Sequence, residues 1–255
     1  MIDTAAYLRR IGMPDDDAAH SYAFLSQLQY RHVLSVPYEN MDILAGIPLS
    51  LDSGALQDKI VRRHRGGYCF ELNGAFSDLL KALGFEVKNY FARFLRGETE
   101  IPLRRHRVLV TEIEGRRYLC DVGIGQSAPR YPLLLQEDIL QEQFGETYRF
   151  SRDPFLGWVL WDLHRGEWRR FFSFTEEEQL DIDFTHASFY CEKHPDSPFN
   201  KALSVSIKTD TGRKTVNGRS FKVFCGDEVV REETLNDDTL LRRVLREEFG
   251  LEMDV

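Results

Sequence analysis

The sequence has no excess of positive charge over its 255 residues. Lysine and arginine together number 33, aspartate and glutamate number 41, and the formal net charge at pH 7 is −8. Proteins that bind nucleic acid neutralise phosphates with a basic face. The composition therefore argues against nucleic acid as the main partner, although one segment, residues 93–107, contains five arginines.

Paired cysteines and long apolar runs are also missing. The four cysteines, Cys69, Cys120, Cys191 and Cys225, form no Cys-x-x-Cys motif, and their wide spacing suits neither a zinc site nor a disulfide scaffold. No apolar run approaches the roughly 20 residues that cross a bilayer, and the first residues, MIDTAAYLRRIGMPDDD, have no apolar signal region. We therefore expect a reduced, cytoplasmic protein without a metal or a membrane partner.

The first third of the chain has the periodicity of helices. Apolar residues recur at three- and four-residue intervals in DTAAYLRRIG, in AAHSYAFLSQLQYRHVLSV up to Pro37, and in LDSGALQDKIVRR, where Ser53 is the candidate N-cap. The same period runs from Phe70 to Leu83 and ends at Gly84. Residues 1–84 are therefore predicted to form a helical bundle.

After Gly84 the pattern changes to that of strands. EVKNYFARFL, HRVLVTEI and RYLCDVGI are short and rich in β-branched and aromatic residues. A glycine hairpin at 165–167 continues the pattern, which predicts an antiparallel β-barrel over residues 85–190. Residues 191–255 contain further strands and a final amphipathic helix. The predicted fold class is α+β.

One cysteine stands where a helix is predicted to begin, in the segment RHRGGYCFELNGAF. A free thiol has a pKa of about 8.5, and a helix N-terminus favours its anion. Gly66 and Gly67 would permit a sharp turn before Cys69. The negative charge of Glu71 would disfavour a thiolate at Cys69, so we expect the Glu71 side chain to face away and make a structural bond. The alternative is that Cys69 is a buried structural cysteine.

A histidine and an aspartate on neighbouring strands could reach that thiol. His106 opens the strand HRVLVTEI, and Asp121 ends the next one. If the turn between the strands has an even number of residues, the residue numbers of each cross-strand pair sum to an odd number. Asp121 then lies opposite an even-numbered residue, on the same face of the sheet as His106. Alternation directs Cys120 to the opposite face, into the core. Alternation from His106 would likewise place Arg104, but not Arg105, on its face.

The sequence gives little evidence that the other histidines are catalytic or bind a metal. Cys191 and His194 offer two loosely spaced ligands, whereas a structural metal site needs four. The histidines expected to be satisfied at the surface or in the core are His20, His32, His164 and His186.

The order Cys, His, Asp narrows the class of site. Papain-like enzymes place their histidine about 130–150 residues after the cysteine, and the interval here is far shorter. A helix-borne cysteine followed by His and Asp on adjacent strands is the transglutaminase-like arrangement of a cysteine-protease core. This arrangement by itself predicts only acyl transfer through a thioester.

Several segments together resemble the arylamine N-acetyltransferase family. RGGYCFELN (residues 65–73) matches the family's Arg-Gly-Gly-x-Cys-x-Glu-x-Asn signature. The supporting segments occur in the family's order and are VPYENMDI, HRVLV, DVGIG and HPDSPFNK. The resemblance covers nearly the whole chain, and it implies a helical bundle with the nucleophile, a β-barrel with its partners and a C-terminal α/β lid.

The resemblance also implies a role for each matching residue. Cys69 would be the acyl acceptor, His106 the base and Asp121 the residue that orients the base. Structural support for the thiol's turn would come from Glu39, Arg65, Gly66, Gly67 and Asn73. The substrate and coenzyme A contacts would come from Tyr38, Phe94, Arg104, Ile124, Gly125 and Phe199. Tyr38 and Ile124 replace the family's commoner phenylalanines, which affects acceptor preference.

The implied activity is acetylation of arylamines or hydrazines by acetyl-CoA, through an acetyl-cysteine in a ping-pong scheme. We expect the protein to act as a monomer or weak homodimer. One alternative on the same core is a transglutaminase-like hydrolase or amide synthase, including one that closes a macrolactam. A second alternative is a binding module that has kept the fold, which the presence of all three triad residues disfavours.

Overall fold

The computed structural model describes residues 2–13 and 20–252. Residues 14–19, which include the predicted start of the second helix, lie outside the described part. The first third contains a two-residue strand, β1 (Tyr38–Glu39), and a π-helical segment (Gln57–Arg62) that follows the fourth α-helix directly. Its α-helices are α1 (Thr4–Arg10), α2 (Tyr22–Ser35), α3 (Met41–Leu44), α4 (Ser53–Leu56) and α5 (Cys69–Ala82).

The start of α4 differs from the prediction. Asp52, not Ser53, is the N-cap: its carboxylate accepts hydrogen bonds from Gly54 N at 2.9 Å and Ala55 N at 3.3 Å. Its backbone is extended, as the N-cap position requires, whereas Ser53 is already the first helical residue. A carboxylate one position earlier therefore takes the role predicted for the serine hydroxyl.

The eight strands after α5 form one antiparallel sheet that curls into a nearly closed barrel. Their order in the sheet is β5-β4-β3-β2-β9-β8-β7-β6. The strands are β2 (Val87–Phe94), β3 (His106–Ile113), β4 (Arg116–Cys120), β5 (Leu133–Leu134), β6 (Gln141–Gln143), β7 (Glu146–Asp153), β8 (Gly157–His164) and β9 (Glu167–Glu178).

Glutamine side chains bridge the two edge strands of this sheet. The amide of Gln141 donates to Leu134 O at 2.9 Å and accepts from Leu134 N at 2.7 Å. Gln143 makes the same pair of bonds to Tyr131, at 3.2 and 2.6 Å. Side-chain amides carry the donors and acceptors that a backbone ladder would supply, so they satisfy backbone groups along the β5 edge.

A second sheet has the order β1-β10-β11-β12-β13 and carries the C-terminal helix on one face. Its later strands are β10 (Ser204–Lys208), β11 (Gly212–Asn217), β12 (Ser220–Cys225) and β13 (Glu228–Thr234); the remaining helices are α6 (Phe184–Lys193) and α7 (Asp238–Phe249). Strand β1 pairs with β10 through Tyr38 and Ser206. A strand inside the predicted helical bundle therefore belongs to the C-terminal sheet.

The fold class is α+β, as the sequence predicts. The predicted division at residue 84 falls between α5 and β2, and the one at residue 190 falls inside α6. Among the described residues, every helix is too short or too polar to span a bilayer.

Candidate active site

Cys69 is the first residue of α5, and its side chain is almost fully enclosed, with 4% of the residue exposed. The residue before it, Tyr68, has an extended backbone, so the chain enters the helix at an angle. Glu71, in the first turn, accepts a hydrogen bond from Tyr68 N at 3.1 Å. This bond satisfies one of the backbone donors that every helix start leaves open, and it fixes the turn that carries the thiol.

Five buried charged side chains lie behind that turn. Arg65 Nη2 is 2.8 Å from both Glu39 Oε1 and Asp42 Oδ1. Lys59 Nζ is 2.7 Å from Asp42 Oδ2 and 2.8 Å from Glu71 Oε1. Burial alone would lower the pKa of Arg65 and of Lys59, but the neighbouring carboxylates raise both pKa values above their usual range. The carboxylates of the cluster therefore favour the charged forms of Arg65 and Lys59.

The two glycines of the signature allow close backbone packing. A Cβ at Gly66 would collide with the carbonyl oxygen of Pro37. A Cβ at Gly67 would lie 2.9 Å from Glu71 Cβ and 3.0 Å from its carboxylate. Any larger residue would push the carboxylate away from Tyr68 N, so the pair is needed for the turn.

The hairpin of β3 and β4 places the histidine and the aspartate on one face. Its two-residue turn, Glu114–Gly115, has positive φ at both positions, and Leu109 pairs with Cys120. The paired numbers sum to an odd total, so the register prediction is confirmed. His106 Nε2 lies 2.7 Å from Asp121 Oδ2, and both residues are buried.

Asp121 accepts further hydrogen bonds at its other oxygen. Asn73 Nδ2 and Gly123 N each donate to Oδ1 at 2.9 Å. Asn73 also donates to Arg107 O at 2.6 Å and accepts from Val122 N at 2.9 Å. Helix α5 thus positions the carboxylate as well as the thiol, since Asn73 lies one turn after Cys69.

The thiol lies beside the residue that precedes the histidine. Cys69 Sγ donates to Arg105 O at 3.8 Å, and the His106 ring packs against Phe172 at a centroid distance of 5.7 Å. Cys120 is fully buried in the core between the helices and the barrel, as predicted. The structure thus brings Cys69, His106 and Asp121 together.

Two opposing effects act on the thiol. Burial raises the pKa of Cys69 well above its usual value, and the neighbouring Cys191 and Asp121 add to the rise. The backbone N–H of Phe70 at the helix start lowers the pKa, which is the direction expected from the sequence. Burial is the larger effect, so the pKa of the Cys69 thiol is raised overall, and a neighbouring base would help to form the thiolate.

The predicted cleft residues fall into two groups. Tyr38 and Phe199 pack in the same apolar cluster as Cys69. Gly125, with a positive φ, brings its backbone against the Tyr38 ring, where a Cβ would lie 3.1 Å from Cγ. Ile124 and Phe94 pack instead on the apolar core of the barrel.

Arg104 and Arg105, the arginines predicted near coenzyme A, do not pack with these cleft residues. Strand β3 begins at His106, so the alternation that would have placed Arg104 on its face does not reach that residue. Arg104 Nη1 is 3.0 Å from Glu177 Oε2, and Arg105 Nη2 is 3.4 Å from Glu98 Oε1. Both guanidinium groups are partly exposed and paired with carboxylates.

Other candidate groups have structural partners. His20 Nε2 is 2.7 Å from Leu83 O, and His32 Nε2 is 3.0 Å from the Tyr7 hydroxyl. Across residues 2–13 and 20–252, no group of three or more His, Cys, Asp or Glu side chains is arranged to hold a metal ion.

Lys59 and Asp42 were missed from the sequence. Lys59 lies next to apolar residues in the helical segment LQDKIVRR. A single cation on the buried face of a predicted helix is the signal that could have identified it. Asp42 lies in the segment VPYENMDI, next to the predicted Glu39. Their partners lie on three different elements, which no sequence spacing reveals.

Comparison with known proteins gives a consistent result. A family model described as N-acetyltransferase matches residues 22–255. The arylamine N-acetyltransferase of Mycobacterium tuberculosis strain H37Rv is 35% identical over 261 residues, covering 98% of this chain and 89% of the relative. The solved Salmonella typhimurium enzyme of that name superposes with a TM-score of 0.94 at 29% identity, covering 99% of this chain and 92% of the other. The Mycobacterium marinum arylamine N-acetyltransferase in complex with CoA superposes with a TM-score of 0.91 at 30% identity, covering 97% and 92%.

Proposed function

The chain belongs to the arylamine N-acetyltransferase family, which catalyses acetyl-CoA-dependent N-acetylation, and we propose that it performs this reaction in two steps through an acetyl thioester on Cys69. The observation that carries the proposal is the buried His106–Asp121 pair, 2.7 Å apart, beside a thiol at the start of α5. A thiol whose pKa is raised by burial needs such a base to become a nucleophile.

In the first step the enzyme takes the acetyl group. Asp121 accepts a hydrogen bond from His106 Nε2–H, which leaves Nδ1 as the free base. Nδ1 takes the proton of the Cys69 thiol, and the sulfur attacks the carbonyl carbon of acetyl-CoA. A carbon–sulfur bond to Cys69 forms, the bond to the coenzyme sulfur breaks, and the imidazolium returns its proton to that sulfur. Coenzyme A leaves as a thiol.

In the second step the amine takes the acetyl group. An arylamine is unprotonated at neutral pH, so its nitrogen can attack the thioester directly. His106 accepts a proton from the amine nitrogen and returns it to the departing sulfur of Cys69. An amide and the free thiol result, and the enzyme is ready for another cycle.

The acceptor is proposed to bind against Tyr38 and Phe199, because both pack in the apolar cluster of the thiol and aromatic rings favour an aromatic amine. Coenzyme A is proposed to pass Gly125, Ile124 and Phe94 on the barrel side. The contact of Arg104 with coenzyme phosphates stays a prediction, and its partial exposure leaves the guanidinium within reach of an anion.

A compartment that keeps thiols reduced suits this chemistry. The nucleophile must be a free thiol, and all four cysteines are free in the structure. We therefore propose a cytoplasmic location, as the sequence predicts.

The test is intact mass after mixing the protein with acetyl-CoA in the absence of an acceptor. Wild type should gain one acetyl group and lose it when an arylamine is added, with the amide as product. Cys69→Ser should gain none while keeping its fold, because a serine hydroxyl ionises far less readily than a thiol.

Cys225→Ser is the matched control, since Cys225 is exposed at the end of β12, and it should acetylate like wild type. An acetyl adduct on the Cys69→Ser variant would show that the nucleophile lies elsewhere. Loss of the adduct without any acceptor would favour the hydrolase alternative.

A further inference from the structure

We propose that Lys59 is a positioning residue for the nucleophile, acting through Glu71 on the turn that carries Cys69. The inference rests on the proposed function, in which Cys69 is the reactive thiol. The side-chain contacts of Lys59 are with Glu71 and Asp42, and it acts on the thiol indirectly. Its effect passes through hydrogen bonds that end at the backbone of Tyr68.

The contacts of Lys59 join three elements at one buried point. Its ammonium lies 2.8 Å from Glu71 on α5 and 2.7 Å from Asp42 on α3. Its own backbone belongs to the π-helical segment and accepts a hydrogen bond from Arg65 N at 3.0 Å. Lysine is seldom this deeply buried, with 6% of the residue exposed, unless its charge is needed.

The cluster has fewer cations than carboxylates, and the loss of Lys59 would widen that deficit. Two cations, Arg65 and Lys59, face three carboxylates, Glu39, Asp42 and Glu71. Arg65 already serves Glu39 and Asp42, so Lys59 is the cation that serves Glu71. Burial raises the pKa of Glu71, and the Lys59 ammonium opposes that rise.

Glu71 connects this cluster to the thiol. One carboxylate oxygen binds Lys59, and the other accepts the hydrogen bond of Tyr68 N, the residue before Cys69. If Lys59 is removed, Glu71 either keeps an uncompensated negative charge two residues from the thiol or becomes protonated and holds the turn less strongly. In both cases the thiolate is disfavoured, because the Phe70 N–H that stabilises it belongs to the same turn.

The thiolate has other titratable neighbours, and all of them are unchanged by a substitution at Lys59. They are His106 and Asp121 on the barrel, Cys191 on α6, Tyr38 on β1 and Tyr68 before the helix. A change in thiol reactivity therefore reports on the loss of the Lys59 ammonium, and a second substitution at Glu71 separates its link to Glu71 from its link to Asp42.

The test is the rate of Cys69 alkylation by iodoacetamide as a function of pH. Lys59→Met should raise the apparent midpoint by about one pH unit, a tenfold loss of thiolate below the midpoint. The double variant Lys59→Gln, Glu71→Gln should recover most of this loss, because a neutral amide pair keeps an acceptor for Tyr68 N without a buried charge. Lys59→Arg, which keeps the charge, should also recover part of it.

Lys214→Met is the matched control, since Lys214 pairs with Glu248 at 2.8 Å away from the site, and its midpoint should equal that of wild type. A lower melting temperature with an unchanged midpoint in Lys59→Met would overturn the inference, and so would a double variant that is no more reactive than the single one. If Lys59→Met fails to fold, the double variant and Lys59→Arg decide the matter. Absence of an acetyl adduct on wild type would count against the proposed function alone.

Discussion

At the scale of single residues, Asp121 determines which nitrogen of His106 carries the proton. One carboxylate oxygen accepts from His106 Nε2, and the other is held by Asn73 Nδ2 and Gly123 N. Because two fixed donors already face Oδ1, the carboxylate cannot rotate without losing both bonds. Oδ2 is therefore left to accept from the imidazole.

Asp121→Asn should reverse that tautomer. The new amide would keep its oxygen toward Asn73 and Gly123 and turn its NH₂ group toward Nε2, which forces the proton to Nδ1. His106 could then no longer accept the thiol proton, and we expect the rate of acetylation from acetyl-CoA to fall on the order of 10³–10⁴-fold. Stopped-flow measurement of coenzyme A release checks this.

Asp196→Asn, at an exposed position after α6, serves as the control and should keep the wild-type rate. An Asp121→Asn enzyme with a rate within tenfold of wild type would mean that the carboxylate does not set the tautomer.

At the scale of secondary-structure elements, a neutral histidine joins the first three longer helices. His32 on α2 lies 3.0 Å from the Tyr7 hydroxyl on α1, and its ring meets Phe76 on α5 edge to face at a centroid distance of 5.3 Å. Burial lowers the pKa of His32 from 6.5 to about 3, and Arg10 adds to the decrease. The folded bundle therefore accepts only the neutral ring over most of the acid range.

This depressed pKa predicts a loss of stability in acid. Between pH 6.5 and pH 3 the unfolded chain binds a proton at His32 that the folded protein does not, so the free energy of unfolding falls as pH is lowered through this window. By pH 4.5 the loss should be about 2–3 kcal/mol. Urea unfolding at several pH values, compared between wild type and His32→Gln, measures it as a difference.

The difference between wild type and His32→Gln should shrink steadily below pH 6.5. His186→Gln, at an exposed position on α6, should run parallel to wild type. Parallel curves for His32→Gln would show that the ring is protonated in the folded protein.

At the scale of the whole molecule, one buried arginine joins the barrel to the C-terminal sheet. Arg130 donates to Thr209 O and Gly212 O, each at 2.8 Å, and to Glu146 Oε2 at 3.0 Å. Glu146 in turn binds Lys208 Nζ at 2.5 Å. These contacts link β7 with the turn between β10 and β11, and β10 also pairs with β1, which carries Tyr38.

Arg130→Met should loosen this junction. It would leave Thr209 O without its arginine donor, Gly212 O with Thr209 N as its donor, and Glu146 with Lys208 as its remaining cation; removing one partner of a buried ion pair costs up to about 3–5 kcal/mol. Urea unfolding should show a loss of that order, and amide exchange should accelerate at residues 209–212.

Arg231→Met provides the comparison, because Arg231 pairs with Glu233 and Glu248 at a half-exposed position. Its cost should stay below about 1 kcal/mol. Equal losses for the two variants would show that the Arg130 junction has no special role in holding the sheets together.

Much of the architecture follows from local pattern. The helical periods predict α1, α2 and α5, and the period-two segments predict the hairpin of β3 and β4, because both patterns report a face that must be buried. The odd-sum register follows from alternation if the turn has an even number of residues, and it places His106 and Asp121 on one face. The signature segment likewise puts Cys69 at a helix start.

Tertiary structure decided whatever depends on partners far apart in the chain. Strand β1 was missed because two residues have no period, and it forms only where β10 offers a ladder 166 to 168 residues later, at Val205 and Ser206. The choice of Asp52 over Ser53 as cap depended on backbone angles, and the pairing of Arg104 with Glu177 depended on where β3 begins.

The sequence by itself was enough to predict the proposed nucleophile and its two partners, because the prediction depends on residue type, a signature segment and strand alternation. Only the tertiary structure decided how that group is supported. Lys59, Asp42 and Glu71 come from three elements, and a buried ion cluster forms only when folding excludes water and brings opposite charges within hydrogen-bond distance. The spacing of these residues along the chain does not predict that distance.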